Sequence, residues 1–190
     1  RFVNRHGHDY ADRVEAREES GTPNVVGDIR AALVFALKDH VGQARIDQVH
    51  ARWMEKALRL QDAEGIVLLG HATAPRLPIL SFRVADGEGG FLHQQLATRM
   101  LSDLYGIQAR GGCACAGPYV HRLLGIDDLA SERLRAAILR GDEIEKPGFT
   151  RLNLCWAAPE DQIDAIIDAI IDLARNGAAH RDHYLCDPAT

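Results

Sequence analysis

Two periodicities alternate along this chain, and their interleaving constrains the fold more than any other feature. Residues 65–70 and 77–84 have the short apolar and alternating patterns of β-strands. Amphipathic helical patterns lie before and after them, and the clearest follows Pro159 with an apolar stripe of Ile163, Ile166, Ile167, Ile170 and Ile171. Strands interleaved with amphipathic helices predict an α/β fold in which helices cover a small sheet.

The remaining elements follow from the same patterns. Asn24 is placed to cap a helix that Gly42 ends. Further helices are predicted at residues 46–60, 91–105 and 129–140, and further strands at 107–110 and 150–156. Cys155, which alternates within the last of these strands, is predicted to be a small buried hydrophobe.

Composition excludes several classes of function. The 190 residues are 46% hydrophobic with a net charge of −5, and no lysine- or arginine-rich block provides a footprint for nucleic acid or an anionic membrane. No apolar stretch approaches the roughly 20 residues that span a bilayer, and the polar N-terminal segment is unlike a secretory signal. Four cysteines do not suggest a disulfide framework. We therefore expect a cytoplasmic protein with reduced thiols, cut at both ends from a longer chain.

The strongest local signal is a glycine-rich loop with two cysteines, Arg110-Gly-Gly-Cys113-Ala-Cys115-Ala-Gly-Pro118. Glycine and proline at this density predict a loop, where a reactive side chain is presented to a substrate. Arg110, with His121 and Arg122 just beyond the loop, supplies positive charge that favours the thiolate. Cys113 and Cys115 are therefore candidate nucleophiles.

Two other positions have two interpretations each. Thr22 precedes Pro23 and a helix start, where a hydroxyl and free amides bind phosphate, although an ordinary turn and cap explain the same residues. Arg151 stands in an apolar strand pattern, where a guanidinium needs a carboxylate partner. That partner is either a substrate carboxylate or a structural Asp or Glu.

Two terminal groups have the spacing of metal ligands but form no complete set of four, so no metal site is predicted. They are His6, His8 and Asp9, and His180, His183 and Cys186.

The order of three motifs resembles a known family. Gly21-Thr-Pro-Asn24 precedes a helix, Arg110 to Pro118 follows a helix and short strand, and Thr150-Arg151 opens a late strand. The chain resembles class V pyridoxal-phosphate aminotransferases, in particular the cysteine desulfurase and selenocysteine lyase branch, from about Glu18 to Gly177.

This resemblance implies the C-terminal small α/β domain of a fold-type I pyridoxal-phosphate enzyme, together with the end of its large domain. Residues 1–27, with the Gly-Thr-Pro-Asn motif, would end the large domain. Residues 28–177 would form the connecting helix and the small domain, and residues 178–190 a tail.

The resemblance also implies roles for five residues. Cys115 aligns with the cysteine that attacks the substrate sulfur and becomes a persulfide, while Cys113 is an extra thiol that shares or replaces its role. Arg151 aligns with the arginine that binds the α-carboxylate, and Arg110 with the arginine that opens the active-site loop, so both are substrate-binding. Thr22 matches the residue that reaches the cofactor phosphate of the other subunit in a homodimer.

The implied reaction moves sulfur from L-cysteine to the active-site cysteine with release of alanine, using pyridoxal 5'-phosphate and, afterwards, a sulfur-acceptor protein. The lysine that holds the cofactor lies upstream in the family, and none of Lys38, Lys56 and Lys146 stands in its motif. We therefore expect this segment alone to be inactive. The alternatives are another class V aminotransferase or lyase activity, a non-catalytic dimerisation or sulfur-relay module, and a redox or metal-binding thiol module.

Overall fold

The computed structural model describes residues 2–19, 21–71, 74–112 and 117–187. The chain divides into two compact units, Arg1–Ile46 and Asp47–Thr190. Each unit has its own sheet, and each is described separately.

The first unit begins with two short strands and two helices. They are β1 (Phe2–Val3), β2 (His8–Asp9), which pairs with β1 antiparallel, α1 (Val14–Glu18) and α2 (Val25–Val41). The cap prediction for α2 is confirmed, because the Asn24 side chain accepts a hydrogen bond from the amide of Gly27 and Gly42 follows the helix with a φ of 81°. The elements before α2 have no apolar periodicity to predict them.

Helix α2 is apolar yet has no buried residue. Seven large apolar side chains on it are exposed, namely Val25, Val26, Ile29, Leu33, Val34, Phe35 and Leu37. At 100° per residue these side chains occupy most of the circumference, a pattern typical of helices that are buried in a larger assembly.

The second unit contains a four-stranded antiparallel sheet in the order β3-β4-β6-β5. Its strands are β3 (Ile66–Leu68), β4 (Ile79–Val84), β5 (Arg110–Gly112) and β6 (Phe149–Asn153). The strand predicted at residues 107–110 begins only at Arg110, because the amide of Ile107 instead caps the preceding helix by donating to the carbonyl of Leu101.

Helices surround this sheet. Helix α3 (Gln43–Ala57) crosses the boundary between the units and is followed by α4 (Gln94–Tyr105), α5 (Gly117–Leu124), α6 (Asp128–Leu139) and α7 (Glu160–Asn176). Short 3-10 helices lie at Leu58–Leu60, Glu143–Glu145 and Gly177–His183. Helix α5 was not predicted, since glycine and proline at its start indicated only a loop.

The two faces of the sheet differ in what covers them. Leu80, Phe82 and Leu152 point into the main core, whose helical members come from α3, α4 and α7. On the opposite face Phe149 packs with Leu69 and with Val120 of α5 in a smaller cluster. Because side chains alternate along a strand, Arg151 shares this second face, beyond that smaller cluster.

Candidate functional site

Two arginines lie directly opposite each other on neighbouring strands. In the β5–β6 register Arg110 pairs with Arg151, and both residues are exposed. Side chains at such positions have Cβ atoms about 5 Å apart and point to the same face of the sheet. The sheet therefore brings together two residues that are 41 positions apart in the sequence.

Neither guanidinium of this pair has a carboxylate partner among the described residues. Of the two interpretations of Arg151, the structural ion pair thus finds no support in the described part of the chain. Like charges directly opposite each other destabilise a strand pair, and an anion between them removes that cost. The arrangement suits an incoming carboxylate held by planar guanidinium groups.

A cleft of about 620 Å³ surrounds the arginine pair. Besides the pair, its lining includes His50, Leu77, Gln108, Asn153 and Trp156. None of the described residues that line it is acidic. Hydrogen-bonding groups and an indole beside two cations suit a small anionic ligand with a modest apolar part.

Cys155 also lines this cleft, and its thiol is exposed. The prediction of a buried core position is wrong, because alternation along β6 puts Cys155 in phase with Arg151 and Asn153, which are exposed. The carbonyl of Cys155 accepts a hydrogen bond from Trp53 Nε1 at 3.1 Å, which holds this turn against α3.

The candidate nucleophiles Cys113 and Cys115 lie outside the described residues. Gly117, the first described residue after the two cysteines, begins α5 and is held by His121, whose Nδ1 donates to the Gly117 carbonyl at 2.8 Å. The other ring nitrogen lies 2.8 Å from Ser131 Oγ on α6. Both nitrogens of His121 are therefore engaged in fixing the start of α5.

Thr22 lies in the first unit between Gly21, which has a φ of 79°, and the Asn24 cap, and its side chain is exposed. The Asn24 side chain accepts a hydrogen bond from the amide of Gly27, and the amide of Val25 donates to the carbonyl of Pro23. The hydroxyl of Thr22 is thus an accessible polar group near a helix start, consistent with either a phosphate contact or an ordinary turn.

The three lysines bear on whether this chain holds pyridoxal phosphate covalently. Lys56 donates to Asp164 and Glu160 on α7, which raises its pKa, and Lys146 pairs with Glu143. Lys38 lies in the last turn of α2, and none of the three lines the arginine cleft. The described residues fit a substrate carboxylate, but they do not fit a covalently held cofactor.

Sequence reasoning missed several residues of the cleft. His50 comes from α3, a helix remote in sequence from the strands, so no local pattern indicated it. Asn153 has a signal in retrospect, because it follows Arg151 by two positions and so shares its face of β6.

Within the described part of the chain, no cluster of three or more His, Cys, Asp or Glu side chains is arranged to bind a metal ion. The rings of His180 and His183 lie 5.7 Å apart. The described helices include none with the length and apolar character needed to cross a membrane.

The α/β fold carries an arginine pair that has no carboxylate partner in the described part of the chain, and its cationic cleft suits a small carboxylate-bearing ligand. The family model described as aminotransferase class-V matches residues 3–166. The chain therefore belongs to the class V aminotransferase family, whose members are generally pyridoxal-phosphate-dependent enzymes. No match to the chain was found among curated proteins.

Proposed function

We propose that this chain is the C-terminal part of a pyridoxal-phosphate enzyme that transfers sulfur from L-cysteine to an active-site cysteine and releases alanine. The observation that carries the proposal is the register pairing of Arg110 with Arg151, two guanidinium groups without a carboxylate partner among the described residues. Strand β5, which contains Arg110, is followed in the sequence by Cys113 and Cys115. A carboxylate site next to candidate thiols is the arrangement that cysteine as substrate requires.

In this proposal Arg151 binds the α-carboxylate of the substrate bidentately, and Arg110 adds a second charged contact. The contact orients the substrate so that its sulfur faces the loop, which is where positioning lowers the barrier. The thiolate of Cys115, or of Cys113 in its place, attacks that sulfur. A sulfur–sulfur bond forms and the carbon–sulfur bond breaks. The carbon retains the electron pair, for which the cofactor would supply an electron sink when bound, takes up a proton and leaves as alanine.

The chain supplies the carboxylate site and the thiol in this scheme, and the cofactor with its lysine comes from elsewhere in the enzyme. We propose that residues 28–177 are the connecting helix and small domain of a fold-type I enzyme, with residues 1–27 ending the large domain. Thr22 would then contact the cofactor phosphate of a second subunit. The exposed apolar side chains of α2 support the proposed homodimer, because such a helix needs cover.

The test uses the full-length protein with bound cofactor and L-cysteine. We expect alanine and sulfide in equal amounts when a thiol reductant cleaves the persulfide. A double variant, Cys113→Ala with Cys115→Ala, should lose both products, while the Cys186→Ala control keeps them. Normal product formation by the double variant would eliminate the persulfide route. Pyruvate instead of alanine would support a different class V reaction.

A further inference from the structure

Gln94 is a buried amide at the place where α4 meets the strands of the arginine pair. The residue is only 8% exposed, and its Nε2 donates to the carbonyl of Lys146 at 3.2 Å. Lys146 stands three positions before β6 begins, so this bond ties the segment leading into β6 to the start of α4. Burial of an amide is costly unless it is hydrogen-bonded, and here that bond is made across the fold.

The backbone of Gln94 contacts β6 as well. Its carbonyl accepts a hydrogen bond from Thr98 Oγ1 at 2.6 Å and lies 3.5 Å from Thr150 Oγ1. Thr150 is 2% exposed and immediately precedes Arg151. One residue of α4 therefore contacts both the approach to β6 and the strand itself.

The neighbouring strand β5 passes so close to Gln94 that a side chain at Gly111 would clash. A Cβ atom placed on Gly111 would lie 2.5 Å from the carbonyl oxygen of Gln94, closer than real Cβ contacts occur. A Cβ on Gly148 would lie 2.8 Å from Gln94 Cδ and 2.7 Å from the carbonyl carbon of Gly112. The two glycines thus allow close approach to Gln94, Gly111 of β5 to its backbone carbonyl and Gly148, just before β6, to its side chain.

We infer that Gln94 is a positioning residue for the Arg110–Arg151 pair. Its side-chain amide holds the approach to β6 at Lys146 and Gly148, while its backbone carbonyl lies against Gly111 and Thr150, and the residue touches no substrate itself. The inference rests on the proposed function, because the ligand of the pair is the proposed substrate carboxylate. A small displacement of oriented binding groups is enough to weaken such a site.

The test compares Gln94→Leu with Gln95→Leu in the full-length enzyme. Leucine keeps the bulk of the buried side chain but removes its donor, and Gln95 is an exposed neighbour outside the network. We expect Q94L to raise KM for L-cysteine about tenfold with kcat within about twofold of wild type. Selectivity for L-cysteine over cysteamine, which lacks the carboxylate, should fall by a similar factor. The Q95L variant should match wild type.

Hydrogen exchange at the backbone amides of β5 and β6 provides a readout that needs no turnover. We expect faster exchange in these strands for Q94L and no change for Q95L. Unchanged KM and exchange in folded Q94L would overturn the inference. So would an equal loss with L-cysteine and cysteamine, which indicates general structural damage.

A second variant covers the case in which Q94L fails to fold. Gln94→Glu donates to the Lys146 carbonyl only when its carboxyl is protonated, so its KM should approach the wild-type value as the pH falls. A KM ratio to wild type that does not change with pH would contradict the inference. If the wild-type enzyme does not convert L-cysteine, the proposed function fails, while the exchange comparison still decides what Gln94 does to the strands.

Discussion

Because Arg110 and Arg151 lie opposite each other, replacing Arg110 should stabilise the fold and, at the same time, weaken substrate binding. Two unit charges about 6 Å apart in water repel each other by about 0.7 kcal/mol, and measured cross-strand pairs are of similar size. Replacing Arg110 by Gln removes this repulsion against Arg151. We therefore expect Arg110→Gln to raise the free energy of unfolding by about 0.5 kcal/mol at low salt, with the gain lost near 1 M salt.

The same substitution should weaken substrate binding. A hydrogen bond to a charged group contributes about 1.5–3 kcal/mol, which corresponds to a rise in KM for L-cysteine of about 10- to 150-fold. Arg133→Gln is the matched control, because Arg133 is an exposed arginine on α6 away from the cleft. Urea unfolding at two salt concentrations and steady-state kinetics measure the two effects.

A loss of stability in R110Q at low salt would refute the reasoning, since it would mean that Arg110 has a stabilising partner. An unchanged KM would refute it as well, because the pair would then bind no carboxylate. The control should change neither quantity beyond experimental error.

Three further predictions follow from contacts outside the arginine pair. The carboxyl of Glu160 has its pKa lowered from 4.5, chiefly by Lys56, so its contribution to stability is present above pH 4.5 and is lost as the pH falls through the lowered pKa. Lys56→Met should therefore reduce the acid-side loss of stability in urea titrations. Gly111→Ala should destabilise the fold by about 1–3 kcal/mol through overpacking, whereas Gly117→Ala, where a Cβ meets nothing within 4 Å, should not. Burial and a hydrogen bond to a carboxylate on α7 raise the pKa of Tyr105 to about 12, so Tyr105→Phe should remove a phenol that ionises near pH 12 in an absorbance titration.

Helices and strands that bury one face were predicted from the sequence, because that burial appears as a periodic pattern of apolar residues. Helix α7 has a stripe of isoleucines because one face packs on the sheet, and β4 alternates because Leu80, Phe82 and Val84 point into the core. Helix α5 escaped prediction because it is only eight residues long and begins with Gly117 and Pro118, which indicated a loop.

The two arginines of the candidate site were singled out from the sequence, but their pairing was not. Arg110 and Arg151 were each assigned to substrate binding through the family resemblance, and their pairing follows only from the order of β5 and β6 in the sheet. No local pattern encodes that order, since it depends on how distant strands meet. Cys155 was misplaced because its apolar character suggested burial, although alternation puts it in phase with the exposed Arg151 and Asn153.

The central claim is that a thiol of the loop after β5 accepts sulfur from a substrate held by the arginine pair. Peptide mass spectrometry of the full-length enzyme after exposure to L-cysteine tests it most directly. The proposal predicts one added sulfur atom on the peptide that contains Cys113 and Cys115, mapped to Cys115, and its loss in Arg151→Gln. Alanine formation with no sulfur added to either cysteine would contradict it.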